Sequence, residues 1–254
     1  MRFGVCTKPV NLQILIDAGY DYVELSLSSL EAMSEEDFSL LKATLAAAPI
    51  KAETVNGFFV PDFSIVGPKA DFEKIAAYCE RALSRAEELG TKVAVLGSGG
   101  ARRIPDGFDR VEAEKQFIRV LRICGDTAAR HGITVAIEPL QAKETNFINT
   151  VAEGMAMCKR ADHPNVKCLA DYYHVLASGE DLTAIETSNG LLSHVHLAVE
   201  GRVMPSTDHD KALCQKLADA LKKCGYNARI SLEGRFNDFP TEVAAALPIL
   251  SETF

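Results

Sequence analysis

One phrase recurs along the 254 residues: apolar positions three and four apart, a glycine, a short polar step, then a continuous apolar run. It reads IDAGYDYVEL around Gly19, EELGTKVAVL around Gly90, ARHGITVAIE around Gly132 and KKCGYNARISLE around Gly225. The first part has the period of a helix, the last the length and composition of a buried strand. A glycine between them can take the left-handed conformation that closes a last helical turn. Each phrase therefore predicts a helix-to-strand junction.

Between the junctions the helical period holds. Phe72, Ile75, Cys79, Leu83 and Ala86 share one face, as do Phe117, Leu121, Cys124 and Ala128, and then Leu213, Leu217, Leu221 and Cys224. Ser34 with Asp37 and Thr150 with Glu153 have the spacing of a helix start, a hydroxyl followed three residues later by an acid. Strands are predicted near 2–6, 21–25, 51–55, 92–96, 133–138, 166–171, 191–197 and 228–233, each with a helix to follow. That alternation predicts a single α/β domain over residues 1–254, a closed (β/α)8 TIM barrel in preference to an open doubly wound sheet. The least regular segment, 56–69, contains FFVPDFSIVGP and is expected to loop over the barrel mouth.

Four strand endings carry chemistry. Glu138 closes ITVAIE, Asp171 closes VKCLAD, His196 lies in LSHVHL and Glu233 closes ARISLE. Consecutive barrel strands would aim these side chains at one place on the C-terminal rim, where barrel enzymes keep their active sites. One acid there would be an ordinary solvated carboxylate, but four polar ligands in register predict a metal centre. Three carboxylates and an imidazole suit Mn²⁺, Co²⁺ or Mg²⁺, and Zn²⁺ accepts the same mixture. An octahedral ion held by four protein groups keeps about two positions for adjacent substrate oxygens. His194, two residues earlier on the same face, is expected deeper, in the core or behind the ligands.

Composition narrows the class. The 35 acidic against 27 basic residues give a net charge of −8, which disfavours phosphate backbones and anionic lipid, so neither nucleic acid nor membrane is expected as a partner. MRFGVCTKPV has no signal-peptide core and no apolar stretch has the length to span a bilayer, which predicts a cytoplasmic protein. Seven cysteines without a C-x-x-C pair predict reduced, buried thiols. GSGG at 97–100, with Arg102 and Arg103, offers a backbone nest for phosphate, although it lacks the P-loop lysine and the G-x-G-x-x-G spacing. Glu24, Glu53, Asn56 and Phe58 follow strands two and three and are further candidates for pocket lining. Phe58 and Phe59 are also candidates for covering the pocket of their own subunit or of a neighbour in a homo-oligomer.

Through DYVEL, GSGGARR, IEPLQAKETNFINT, HPNVKCLADYYH, HVHLAVEGR and ISLEGRF, the chain resembles the xylose isomerase-like family over essentially its whole length. Members of that family include ketose 3-epimerases, hydroxypyruvate isomerases and inosose-processing enzymes. The resemblance implies that Glu138, Asp171, His196 and Glu233 hold a divalent ion, and that Glu138 and Glu233 also transfer protons as an acid/base pair. It places Glu144, His174 and Arg202 where substrate hydroxyls and carbonyl are contacted. His174 would reach the pocket if the chain turns into a helix after Asp171, and Arg202 could grip an oxygen through its fork of donors. The implied reaction is epimerisation of a ketose or keto-polyol. A proton beside the carbonyl leaves to one glutamate through a cis-enediolate and returns on the opposite face from the other.

The same groups would serve aldose–ketose or hydroxypyruvate-type isomerisation, or an inosose-type dehydration. More remote readings are an apurinic endonuclease-like phosphodiesterase and a non-catalytic sugar-binding barrel. The first needs further histidines after strands three and four, where ETVNG and VLGSGG have none, although DHD at 208–210 adds carboxylates. The second would be marked by a lost ligand, and all four stand.

Overall fold

A computed structural model describes all 254 residues. Its strands are β1 (Arg2–Cys6), β2 (Tyr22–Ser26), β3 (Lys51–Asn56), β4 (Val93–Leu96), β5 (Thr134–Ile137), β6 (Val166–Asp171), β7 (Leu192–Leu197) and β8 (Arg229–Leu232). Each pairs in parallel with its sequence neighbour, and β8 returns to β1 to close the barrel. Every strand boundary lies within one residue of its sequence expectation.

The helices are α1 (Leu12–Ala18), α2 (Leu27–Ala32), α3 (Glu35–Ala47), α4 (Phe72–Glu88), α5 (Arg110–Arg130), α6 (Val151–Ala161), α7 (Tyr172–Ser178), α8 (Thr183–Glu186), α9 (Asp208–Lys223) and α10 (Phe239–Thr253). None is long and apolar enough to cross a membrane. The pattern of α4 shows why these segments are helical. Asp71 accepts from the backbone N–H groups of Glu73 and Lys74, and the face bearing Ile75, Cys79, Leu83 and Ala86 is buried. Complete burial of a side chain such as Leu83 contributes roughly 1.5–3 kcal/mol. Gly19, Gly90, Gly132 and Gly225 all have positive φ, as the junction phrase requires.

Ser34 and Thr150 cap α3 and α6 by accepting from the N–H groups of Asp37 and Glu153. A full reciprocal capping box stands elsewhere, between Thr207 and Asp210. The DHD run therefore starts α9 and directs Asp210 into backbone N–H groups, not toward a metal cluster. The 56–69 segment also differs from expectation. Phe58 and Phe59 are buried, with Phe59 packed against Phe58, Phe63 and Tyr78 at 4.8–5.1 Å, and the Tyr78 hydroxyl donates to the Phe58 carbonyl at 2.5 Å. These aromatics fasten the loop to the core, and neither Phe58 nor Phe59 is free to cover a neighbour's pocket.

Inside the barrel Tyr22 lies across Gly4, where an added Cβ would stand 2.2 Å from its ring, and its hydroxyl bonds Ser231 Oγ at 2.8 Å. Glu53 pairs with Arg2 and Arg229, the first residues of β1 and β8. It thus belongs to the N-terminal end of the barrel and does not line the pocket. Depth along a strand decides this, and a one-residue view of the sequence does not report depth.

Candidate metal centre

Each of the last four strands delivers one donor to the C-terminal rim. Glu138 follows β5, Asp171 ends β6, His196 is the penultimate residue of β7 and Glu233 follows β8. One ligand atom from each lies within 4.8 Å of all the others. His196 Nδ1 is 3.1 Å from Glu138 Oε1 and 3.5 Å from Glu233 Oε2. Glu138 reaches this place because residue 97 is glycine, where an added Cβ would stand 2.1 Å from Glu138 Oε2.

Asp171 has two tasks. As N-cap of α7, its Oδ1 accepts from the N–H groups of Tyr173 at 2.8 Å and His174 at 3.4 Å. Its Oδ2 is buried with no hydrogen-bond partner. The turn into α7 also delivers His174 to the pocket. The Gln141 N–H donates to His174 Nδ1 at 3.4 Å, which leaves the hydrogen of the neutral ring on Nε2. That nitrogen is also buried without a partner, 3.6 Å from Asp171 Oδ2 and 4.0 Å from Glu144 Oε2.

Arg202 spans the opening. Its Nη2 donates to Glu233 Oε2 at 3.0 Å, its Nη1 to Glu144 Oε1 at 3.3 Å, and its guanidinium lies 5.3 Å from the centre of the Tyr173 ring. Asn56 Nδ2 donates to Glu233 Oε1 at 3.2 Å. Glu144, His174, Arg202 and Asn56 are therefore all brought to one pocket with the four donors. Beside Glu233 a cleft of about 570 Å³ opens, lined by Cys6, Lys8, Ser26, Asn56 and Phe236 among others.

Charge sets the character of the pocket. Burial, reinforced by the charges of Glu233 and Glu138, holds the Asp171 carboxyl well above the usual range. Burial also opposes ionisation of Glu233, but His196 and Arg202 outweigh it and bring that group to about 2. Burial keeps His174 neutral despite the nearby carboxylates. A bound cation would offset the cost of ionising Asp171 beside Glu233 and Glu138. A hard donor set, a buried carboxylate oxygen without a partner and an imidazole nitrogen turned inward together fit a divalent cation.

The chain matches the family model described as xylose isomerase-like TIM barrel over residues 12–250. It belongs to that family. D-psicose 3-epimerase of Ruminiclostridium cellulolyticum is 25% identical over 221 residues, covering 85% of this chain and 74% of that protein. A 2-oxo-tetronate isomerase of Cupriavidus necator is 27% identical over 177 residues, covering 68% and 65%. The structure of D-allulose 3-epimerase from Methylomonas sp. in complex with D-allulose shares the fold with a TM-score of 0.85 at 19% identity, covering 100% of this chain and 97% of that one. These two sequence relatives of the xylose isomerase-like chain are thus a sugar epimerase and a sugar-acid isomerase.

Three expectations about this member of the xylose isomerase-like family need correction. Arg102 offers no charge to an anion, because it is fully buried and donates to the carbonyls of Leu96, Gly97, Phe147 and Ile148. Burial lowers its pKa to about 10. The glycines around it serve close packing, Gly99 against Leu140 and Gly100 against Pro61, while Arg103 donates to the Glu144 carbonyl at 2.7 Å. Glu24 does not line the pocket but lies buried beneath it, between His194 and His196.

Sequence reasoning also passed over Cys6, Gln141 and Tyr173. Cys6 ends β1 at the rim, 3.9 Å from His196 Nε2, and its strand-end position was the available signal. Gln141 Nε2 links Glu144 Oε1 at 3.1 Å and the Tyr173 hydroxyl at 3.0 Å, a loop contact with no periodicity to reveal it.

Proposed function

We propose that this chain is a divalent-metal-dependent epimerase acting on a ketose or keto-polyol. In this reading Glu138, Asp171, His196 and Glu233 hold the ion, and Glu138 and Glu233 exchange the proton on the carbon beside the carbonyl. The convergence of these four donors, with Asp171 Oδ2 buried and unpartnered, carries the reading. Mn²⁺, Co²⁺ and Mg²⁺ suit the donors best, and Zn²⁺ accepts them. When bound, such a cation polarises a carbonyl and offsets the negative charge of an enediolate.

The protein's own residues supply the rest. Glu138 and Glu233 follow β5 and β8, with the strands of Asp171 and His196 between them, so they approach a substrate from different sides. Removal of a proton by one and its return from the other inverts the carbon between them. His174, neutral with its hydrogen on Nε2, donates to the carbonyl oxygen. Arg202 orients Glu233 and, with Glu144, binds hydroxyls. The cleft beside Glu233 has room for a polyhydroxylated molecule, and the substrates in the relatives' names, psicose and 2-oxo-tetronate, are small carbonyl-bearing sugars or sugar acids.

The test is turnover of ketoses, keto-polyols and their acids in D₂O with each ion, read by NMR. Epimerisation places one deuterium on the carbon whose configuration inverts. Deuterium on the neighbouring carbon with a shifted carbonyl would identify an isomerase instead, and loss of water a dehydratase. Glu138→Gln and Glu233→Gln are each expected to lower turnover by roughly 10²–10⁴-fold with unchanged circular dichroism. Full activity in both variants would refute the assignment.

A further inference from the structure

Directly beneath the four donors β2 carries Glu24, a carboxylate with no exposure to solvent. An unpaired charge there would be prohibitive, and both oxygens of Glu24 have polar partners. Its Oε2 accepts from Thr54 Oγ1 at 2.7 Å and from Ser231 Oγ at 2.5 Å, and pairs with His194 Nε2 at 2.8 Å. Ser231 is bonded in turn to the Tyr22 hydroxyl at 2.8 Å. These three partners of Oε2 stand on β3, β8 and β7, so the carboxylate is fixed from several sides of the barrel. Its other oxygen, Oε1, pairs with His196 Nε2 at 2.8 Å.

A carboxylate only accepts, so His196 Nε2 carries a hydrogen. Nδ1 faces Glu138 Oε1 at 3.1 Å and Glu233 Oε2 at 3.5 Å, so an ion held among these groups would replace the hydrogen on Nδ1 while Glu24 retains the one on Nε2. We infer that Glu24 is a positioning residue for the candidate metal centre, anchoring His196 Nε2–H so that tautomer and ring angle present Nδ1 as a ligand. The inference rests on the metal-dependent reading proposed above. Cys6 Sγ, at 3.9 Å from the same nitrogen, is a longer and weaker contact that cannot set the ring. A carboxylate behind a ligating histidine also raises the basicity of the ligand nitrogen. Thr54, Ser231 and His194 act at one remove, by holding Glu24.

The test reads Co²⁺ binding to the substrate-free protein, by calorimetry and by the visible absorption of the bound ion. Glu24→Leu removes both acceptors at similar volume, and is expected to weaken Co²⁺ binding roughly 10–100-fold and to alter the spectrum. Glu24→Gln keeps one carbonyl acceptor and is expected to recover part of the loss. Glu53→Gln, at the other end of the barrel, leaves both readouts unchanged. Where Glu24→Leu does not fold, Glu24→Gln and Ser231→Ala report the same quantities. Wild-type affinity and spectrum in every folded variant at positions 24 and 231 overturn the inference and leave the metal reading intact. A folded wild-type chain that binds none of Co²⁺, Mn²⁺, Mg²⁺ or Zn²⁺ overturns that reading first, and the inference with it.

Discussion

Asp171 Oδ2 and His174 Nε2 lie 3.6 Å apart, too far for a hydrogen bond, and both are buried without any other partner. A buried polar atom in that state costs about 1–3 kcal/mol, so the pocket is held at some expense to the stability of the fold. Binding at this place should therefore stabilise the protein. A divalent ion at a hundredfold excess over its Kd is expected to add about 2.7 kcal/mol and raise Tm, and chelation to reverse the gain. Thermal melts with and without Mn²⁺ or Co²⁺ measure this, and Asp171→Asn should remove most of the shift. Melts unchanged by every ion would speak against the site.

Gly97 and Glu138 make the second case. An alanine Cβ at position 97 would stand 2.1 Å from Glu138 Oε2, a separation real atoms do not adopt, so the carboxylate must move. Gly97→Ala is expected to cut turnover at least tenfold and to weaken ion binding. Gly107→Ala, whose Cβ would meet nothing within 4 Å, should change stability by about 1 kcal/mol and leave turnover alone. Steady-state kinetics on the two variants separate the effects, and equal turnover in both would reject this role for Gly97.

Arg102 belongs to the fold. Arg102→Met leaves the carbonyls of Leu96, Gly97, Phe147 and Ile148 without their shared donor in the core, with an expected loss of about 3 kcal/mol or more in urea unfolding. Arg103→Ala is expected to stay within about 0.5 kcal/mol of wild type. Inorganic phosphate should leave Tm unchanged. A phosphate-dependent rise in Tm that Arg102→Met abolishes would restore the anion-binding reading.

Asp210 links the α9 capping box to pH. Burial opposes its ionisation, but the N–H groups of Ser206 and Thr207 outweigh burial and hold its carboxyl below the usual range. A carboxyl with a depressed folded pKa stabilises the protein above its unfolded value, near 3.9, and that contribution is lost as pH falls through the folded value. Asp210→Asn is therefore expected to cost about 1 kcal/mol at neutral pH. Its difference from wild type should shrink as the pH drops below about 4. Urea melts at a series of pH values measure it, and a difference constant down to pH 3 would exclude the charge as the cause.

Parallel barrel strands are buried on both faces, so they read as continuous apolar runs, and a polar residue at the end of such a run stands out. That contrast made Glu138, Asp171 and Glu233 legible, and the glycine junctions at Gly19, Gly90, Gly132 and Gly225 marked the starts of β2, β4, β5 and β8. Arg102 and Glu53 were misplaced for a different reason. Both are charged residues near strand ends, and whether such a group meets solvent, a pocket or a cluster of carbonyls depends on what packs against it. Nothing in the local pattern distinguishes Arg102, buried among carbonyls, from Arg103 beside it.

The chain's own periodicities determined the order of βα units and the residues that end each strand, because helical and strand spacing are local properties of a few consecutive side chains. Closure of the barrel decided what those residues meet. Glu24 touches His194 and His196 across 170 and 172 positions of sequence, from strands that are not neighbours in the sheet. Only a closed cylinder turns the side chains of β2 and β7 into the same interior, where burial makes an unpaired Glu24 costly and these histidines supply its partners.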